Sequence, residues 1–378
     1  GHGGNDVPEP PDIQKTEEIA KGDLTTPTAV EQQEEGHASW VPSGADFFIY
    51  EDTSADLTGH DRGVVANVFA LSEASARADQ LLSVLGLKRE VVAGRFISAD
   101  ARFATTVVVF QLKQDQRAEQ LNVLGEPWEN VGPVQLRQLA VGPERFAFAV
   151  VAENCVAIGQ PEILKRLLSG DHDPNIKAIL EQKLKSKPRY LMVIRPTLIR
   201  HRGLIAWFDA WPEIDQLWQN LWAGANLFIF SIERSEQQVI WTCEWIAKSP
   251  DDKDSLEKSV RGLLTRVLGY REVLASPQAE TEVGHGGGDP DKEKESAKKL
   301  AELWLSCLDQ SQVQVTDTSV LVTLTLPGDL GSEAGLKELG EIVMGEWRHW
   351  AEIAMTRRHG HLGKAMSEYE SKQQMFPM

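Results

Sequence analysis

Apolar residues recur with two different periods along the middle of the chain, and these periods predict both strands and helices. Alternating or continuous apolar runs predict strands over 47–50, 107–112, 134–139, 146–151, 156–159, 191–194, 227–232 and 239–246. Apolar positions at helical spacing predict helices over 62–86, 117–124, 161–168, 198–222 and 256–268. Pro212 should kink or split the helix over 198–222, because an interior proline removes a backbone hydrogen bond.

The order strand, long helix, two strands and a further helix occurs twice, which predicts an α+β fold of two similar units. The first sheet-plus-helix unit covers 40–180 and the second covers 181–276. Such repetition is typical of an internal duplication. A helix–hairpin–long helix part over 293–378 follows, with hairpin strands at 312–315 and 320–326, and we expect it to complete the second unit.

Two segments lack any apolar period and separate these parts. Residues 1–39 are polar and acidic and contain four prolines, which predicts a flexible leader. Residues 277–292 include the run from Gly284 to Gly288 and predict a Gly-rich linker. A phosphate-binding loop would need a preceding strand and a following Lys-Ser/Thr, whereas Asp289 and Asp291 follow here and would repel phosphate.

Composition and charge narrow the classes of partner. A hydrophobic content of 42% supports a packed core, and the formal net charge of −17 with a pI near 5.0 argues against nucleic-acid binding. The chain has no apolar run of eighteen residues, so no transmembrane segment is predicted in it. Three cysteines do not make a disulfide framework; Cys155 and Cys243 resemble core residues, although one pairing with Cys307 or with each other stays open.

The familiar motifs of catalysis and metal binding are missing from the sequence. There is no Gly-x-Ser-x-Gly and no His-Glu-x-x-His. His349, His359 and His361 are ten and two residues apart, and a helix would not bring them to one ligand point. The sequence therefore assigns no catalytic, cofactor-binding or metal-binding residue, and we expect no cofactor.

Tryptophan is the unusual residue of the sequence, with six of its eleven copies between positions 207 and 245. Trp207, Trp211, Trp218 and Trp222 are spaced by 4, 7 and 4 residues, which places them on one stripe of a helix. One interpretation is an aromatic groove for a sugar or a peptide, and these four residues are the candidate ligand or partner surface. The other interpretation is that the stripe packs the helix onto a sheet whose Trp241 and Trp245 share one strand face.

The C-terminal end of the chain resembles a known type of segment. The residues that carry the resemblance are Leu362, Gly363, Ala365, Met366 and Tyr369, followed by Phe376-Pro377. They are similar to a pilin-like segment of exported planctomycete-type proteins of unknown function, although Ser367 replaces the usual histidine. The resemblance covers about twenty residues at one end of the chain.

What the resemblance implies is an exported protein of the periplasm or cell envelope, with its signal sequence and any anchor outside this chain. It brings no catalytic residues. We therefore expect a non-enzymatic interaction or binding module with a protein or polysaccharide partner. The alternative is a hydrolase or carbohydrate-binding enzyme that uses the Trp-rich region 207–245.

Overall fold

In the part of the chain that the structure describes, twelve strands form one antiparallel sheet. The computed structural model describes residues 40–53, 71–141, 143–206, 212–234, 238–274, 306–307 and 309–326. The strands are β1 (Phe47–Asp52), β2 (Val92–Ala99), β3 (Val107–Leu112), β4 (Glu126–Val131), β5 (Val134–Val141), β6 (Glu144–Ala152), β7 (Cys155–Gly159), β8 (Tyr190–Ile194), β9 (Ala225–Arg234), β10 (Val239–Ala247), β11 (Gln312–Val315) and β12 (Ser319–Leu326).

The order of the strands shows how the two halves of the chain meet. The sheet runs β11-β12-β10-β9-β8-β1-β2-β3-β7-β6-β5-β4. β1 pairs with β8 at its centre, where Ile49 lies opposite Met192, and β1 pairs on its other side with β2, where Ile49 lies opposite Ile97. The strands of both halves thus belong to one hydrogen-bonded sheet.

Within the described ranges, six complete α-helices and several short 3-10 turns connect the strands. The helices are α1 (Ser72–Val84), α2 (Pro161–Leu168), α3 (Pro174–Lys183), α4 (Pro196–His201), α5 (Pro212–Gly224) and α6 (Pro250–Leu274). Five of them begin at a proline, which suits the first helical position because its backbone needs no hydrogen-bond donor there. Pro212 thus begins a new helix, and the predicted helix over 198–222 is split into α4 and α5, as the proline indicated.

Successive side chains of a strand point to opposite faces of the sheet. Helices pack against each of the two faces. On one face, Phe47, Ile49 and Phe110 pack with residues of α1, α4 and α5. On the other face, Phe48 and Val193 pack with residues of α2 and α3. α6 joins the first face near its edge, where Leu256 and Val260 contact Leu221, Val320 and Val322.

The prediction of an α+β fold is confirmed, but the strands of the two predicted units form one continuous antiparallel sheet. The hairpin β11–β12 belongs to the part that we expect to complete the second unit, and it extends the sheet by pairing with β10 of that unit. The predicted boundary at residue 180 falls inside α3. The leader, the linker and the helices predicted over 293–308 and beyond 336 lie outside the described residues, apart from short pieces near 306–310.

Three elements were not predicted, each for a physical reason. β2 contains Gly94 and the charged Arg95, which interrupt its apolar pattern. β4 contains Pro127 and two glutamates, as an edge strand can. α3 is short, and only Ile176 and Leu180 of its residues are buried, so its apolar period is weak.

Candidate functional site

The structure resolves the two interpretations of the tryptophan stripe for the residues that it describes. Trp222 on α5 is 1% exposed and Trp218 is partly buried, and both belong to the core face of the sheet. Trp222 is therefore not part of a solvent-facing ligand surface. It packs the helix onto the sheet, as the second interpretation predicts. Trp207 and Trp211 lie outside the described residues.

The two tryptophans belong to an aromatic cluster that joins α5 to β9 and β10. The ring centroids of Trp218 and Trp222 are 5.2 Å apart, and those of Trp222 and Phe228 are 5.6 Å apart, both edge to face. Phe228 continues to Trp245 at 4.9 Å. The Trp218 indole donates a hydrogen bond of 2.9 Å to the Leu204 carbonyl. Edge-to-face packing of this kind stabilises a core beyond the area it buries, so the cluster holds α5 on the sheet.

A buried ion pair lies on the same face of the sheet, under α1. Glu51 of β1 and Arg95 of β2 are opposite each other in the strand register, with side chains 1% and 3% exposed. The Arg95 guanidinium donates to the Glu51 carboxylate and also to Asp79 of α1. Ser75, one turn earlier on α1, donates to the second Glu51 oxygen at 3.1 Å. The charges are thus satisfied within the sheet–helix contact.

The protonation of this cluster follows from its geometry. Burial by itself would lower the pKa of Arg95, but the charges of Glu51 and Asp79 and their hydrogen bonds outweigh it, so that the pKa is raised. Tyr190 lies opposite Glu51 on β8, and burial, followed by the negative charge of Glu51, raises the pKa of its phenol. Both groups therefore keep their protons at neutral pH, which suits structural hydrogen bonding rather than proton transfer.

The three cysteines are free thiols, of which Cys155 and Cys307 are buried and Cys243 is half-buried. Burial raises the pKa of Cys155 on β7 and of Cys243 on β10 to about 12, and it also raises the pKa of Cys307. A thiol with such a pKa is a poor nucleophile and a poor metal ligand, because the thiolate is the reactive form. The sequence interpretation of Cys155 as a core residue is confirmed.

No group of three His, Cys, Asp or Glu side chains in the described ranges is arranged to hold a metal ion. His349, His359 and His361 and the glycine run at 284–288 lie outside those ranges. Likewise, none of the helices described is both long and apolar enough to span a membrane. Glu51 and Arg95 could not be selected from the sequence, because their only signal is the strand register that places them opposite each other.

Comparison with known proteins adds little to this picture. No family model and no curated protein matches the chain. Among solved structures, crystal form I of TP0453 is similar with a TM-score of 0.36 and 9% identity, covering 81% of this chain and 95% of that chain. Crystal form III of TP0453 gives a TM-score of 0.32 at 10% identity, covering 81% and 96% of the two chains. Likenesses this low indicate neither a shared fold nor a shared function.

Proposed function

We propose that the protein is a non-enzymatic exported protein of the cell envelope that acts as an interaction or binding module. The observation that carries the proposal is that the buried ion pair, the Cys155 thiol and the Trp222 indole of the described core are all engaged in pairing or packing. Arg95 and Glu51 neutralise each other, the Cys155 thiol is enclosed, and Trp222 packs against Phe228. The C-terminal resemblance supports export, and the negative net charge of the chain fits a partner other than nucleic acid.

The location of the protein is tested by fractionating cells that express the natural gene from its own locus. An antibody against the purified chain should find the protein in the envelope or extracellular fraction, separate from a cytosolic marker enzyme. Recovery together with the cytosolic marker would overturn the proposed export.

A hydrolysis assay distinguishes the proposed non-enzymatic function from the hydrolase alternative. The purified protein should release no reducing ends from a panel of polysaccharides beyond a heat-denatured sample. Release that continues with time and scales with protein concentration would favour the hydrolase. The burial of Trp222 weakens that alternative, because an aromatic sugar-binding groove needs an accessible ring face.

We further propose that the two halves of the sheet arose by duplication. β1 and β8 pair at the centre, and the next two strands follow outward in chain order on both sides, as β2 and β3 or as β9 and β10. A helical segment lies between the first and second strands in both halves. The test is a superposition of Cα positions in a crystal structure of the protein: one two-fold rotation should place β1, β2 and β3 on β8, β9 and β10. Failure of the three strands to superpose together would contradict the duplication.

A further inference from the structure

One face of the sheet carries a straight row of uncharged polar side chains near its β11 edge. Thr242 of β10 lies opposite Ser231 of β9 on one side and opposite Thr323 of β12 on the other. Thr323 in turn lies opposite Gln312 of β11. These four residues, called the polar row below, share the face that α3 covers farther in. Neighbouring strands are 4.7–4.9 Å apart, so the row spans roughly 14 Å.

The polar row becomes more accessible toward the edge of the sheet. Ser231 is buried, Thr242 and Thr323 are half-buried, and Gln312 is exposed. Within the described part of the chain, the side chains of these residues make no hydrogen bond to another protein group. Hydroxyl and amide groups both donate and accept hydrogen bonds, so the row offers unused capacity of both kinds to a ligand.

Aliphatic side chains lie on both sides of the polar row. Ile240 precedes Thr242 on the same strand face and lies opposite Thr325, and Leu321 precedes Thr323 and lies opposite Glu244. Ile240 and Leu321 are both half-buried. A ligand on this face would therefore meet hydroxyl groups flanked by aliphatic groups.

The two carboxylates on this face are bound by other protein groups, and one of them is paired with a cation. The Glu244 carboxylate accepts a hydrogen bond of 2.5 Å from the Lys183 ammonium of α3 and one of 2.7 Å from the Ser319 hydroxyl. Glu233 of β9, which lies opposite Ile240, accepts a hydrogen bond from Ser186. Because Lys183 is already paired with Glu244, this face offers an anionic ligand no unpaired cation from these residues.

We propose that the polar row binds a neutral polysaccharide, which deepens the proposed function and rests on it. A neutral sugar presents hydroxyls that can match Thr242, Thr323 and Gln312, and C–H faces that can contact Ile240 and Leu321. A nucleic acid or acidic glycan would require basic side chains. A protein partner would typically need aromatic or arginine anchors, and the nearby Trp241 and Trp245 belong to the opposite face of the sheet.

The proposal is tested by depletion of the full chain from solution by insoluble cellulose, chitin and starch. We expect saturable binding to at least one of the three. Thr242→Val combined with Thr323→Val should weaken that binding about tenfold or more, because two hydroxyls are lost while strand-forming side chains remain. Gln312→Ala should weaken it less, and Gln135→Ala, at an exposed strand position in the other half of the sheet, should leave it unchanged.

Each other outcome overturns a defined part of the proposal. Failure to bind any of the three neutral polymers, or binding of an acidic polymer alone, would exclude a neutral polysaccharide ligand. Unchanged binding by a folded Thr242→Val/Thr323→Val variant would exclude the polar row; if that variant does not fold, unchanged binding by Gln312→Ala decides in the same way. Fractionation reports separately on the proposed function: an envelope protein without polysaccharide binding would overturn only this inference.

Discussion

Glu51 and Arg95 lie opposite each other on β1 and β2, close to the middle of a twelve-stranded sheet, and each is almost completely buried. Desolvation makes such a pair costly, and hydrogen bonds with Ser75 and Asp79 of α1 offset part of that cost. The pair therefore ties the register of two central strands to the position of one helix.

Removing one member of the buried pair should destabilise the protein strongly. Arg95→Met leaves the Glu51 carboxylate buried without its main partner, and we expect the free energy of unfolding to fall by about 3–5 kcal/mol. Urea denaturation followed by circular dichroism measures the loss. The double variant Arg95→Met/Glu51→Leu should be more stable than Arg95→Met, since no unpaired charge is then buried.

A matched control is the exposed ion pair of Arg261 and Glu257 on α6, whose side chains are 52% and 33% exposed. Arg261→Met should change the free energy of unfolding by less than about 1 kcal/mol. Equal effects of Arg95→Met and Arg261→Met would show that Arg95 and Glu51 are not buried together.

The thiols should react slowly in the folded protein. With a pKa of about 12, only ~10⁻⁴ of the Cys155 and Cys243 side chains is ionised at pH 8. An aromatic disulfide reagent should therefore label these two residues far more slowly in the native protein than in guanidinium chloride. Peptide mapping of the labelled cysteines gives the labelling rate of each residue. Fast labelling of Cys155 in the native protein would contradict its burial.

Loss of the indole at position 222 should destabilise the attachment of α5. Trp222 contacts both Trp218 and Phe228, and a buried Trp→Ala change typically costs about 3–5 kcal/mol. Trp222→Phe keeps an aromatic ring in the cluster and should cost clearly less. Thermal unfolding of the two variants beside wild type tests this, and a wild-type midpoint for Trp222→Ala would mean that the ring is not part of the core.

The sequence predicts much of the fold where the apolar period of a segment is complete. β3 and α2 agree with the predicted 107–112 and 161–168, because neither element carries a buried charge or a break in its pattern. β2 escaped prediction for the opposite reason: Arg95 sits at a core-facing position, and only its partner on β1 makes that position tolerable. Local periodicity holds no information about such a partner.

The same limit explains the outcome for the candidate sites. The spacing of Trp218 and Trp222 placed both on one helix stripe but could not decide whether a sheet or a ligand covers it. The polar row was not predictable as a whole, because Thr242 comes to lie beside Thr323 only through the pairing of β10 with β12, whose strands are far apart in the sequence. Pairing of β1 with β8, which joins the two predicted units, depends on long-range register in the same way.

Asp173 offers a test of how the start of α3 is attached to the sheet. One oxygen of its carboxylate accepts hydrogen bonds of 3.0 Å from the backbone N–H groups of Asn175 and Ile176, and the other accepts from the Arg195 guanidinium. Arg195 follows β8 and also donates to the Ala45 carbonyl at 3.2 Å. A single side chain thus caps α3 and links it to the residues that flank β8 and β1.

The two roles of Asp173 are separated by two substitutions. Asp173→Asn keeps an oxygen for the helix cap but loses the charge facing Arg195, whereas Asp173→Ala loses both. We expect Asp173→Ala to lower the free energy of unfolding by about 1–2 kcal/mol through the cap alone, with a further loss from the ion pair. Asp173→Asn should retain most of the cap contribution, because Asn and Asp cap helices about equally well. Urea denaturation gives both values, and equal losses for Asp173→Asn and Asp173→Ala would assign the stabilisation to the contact with Arg195 rather than to the cap.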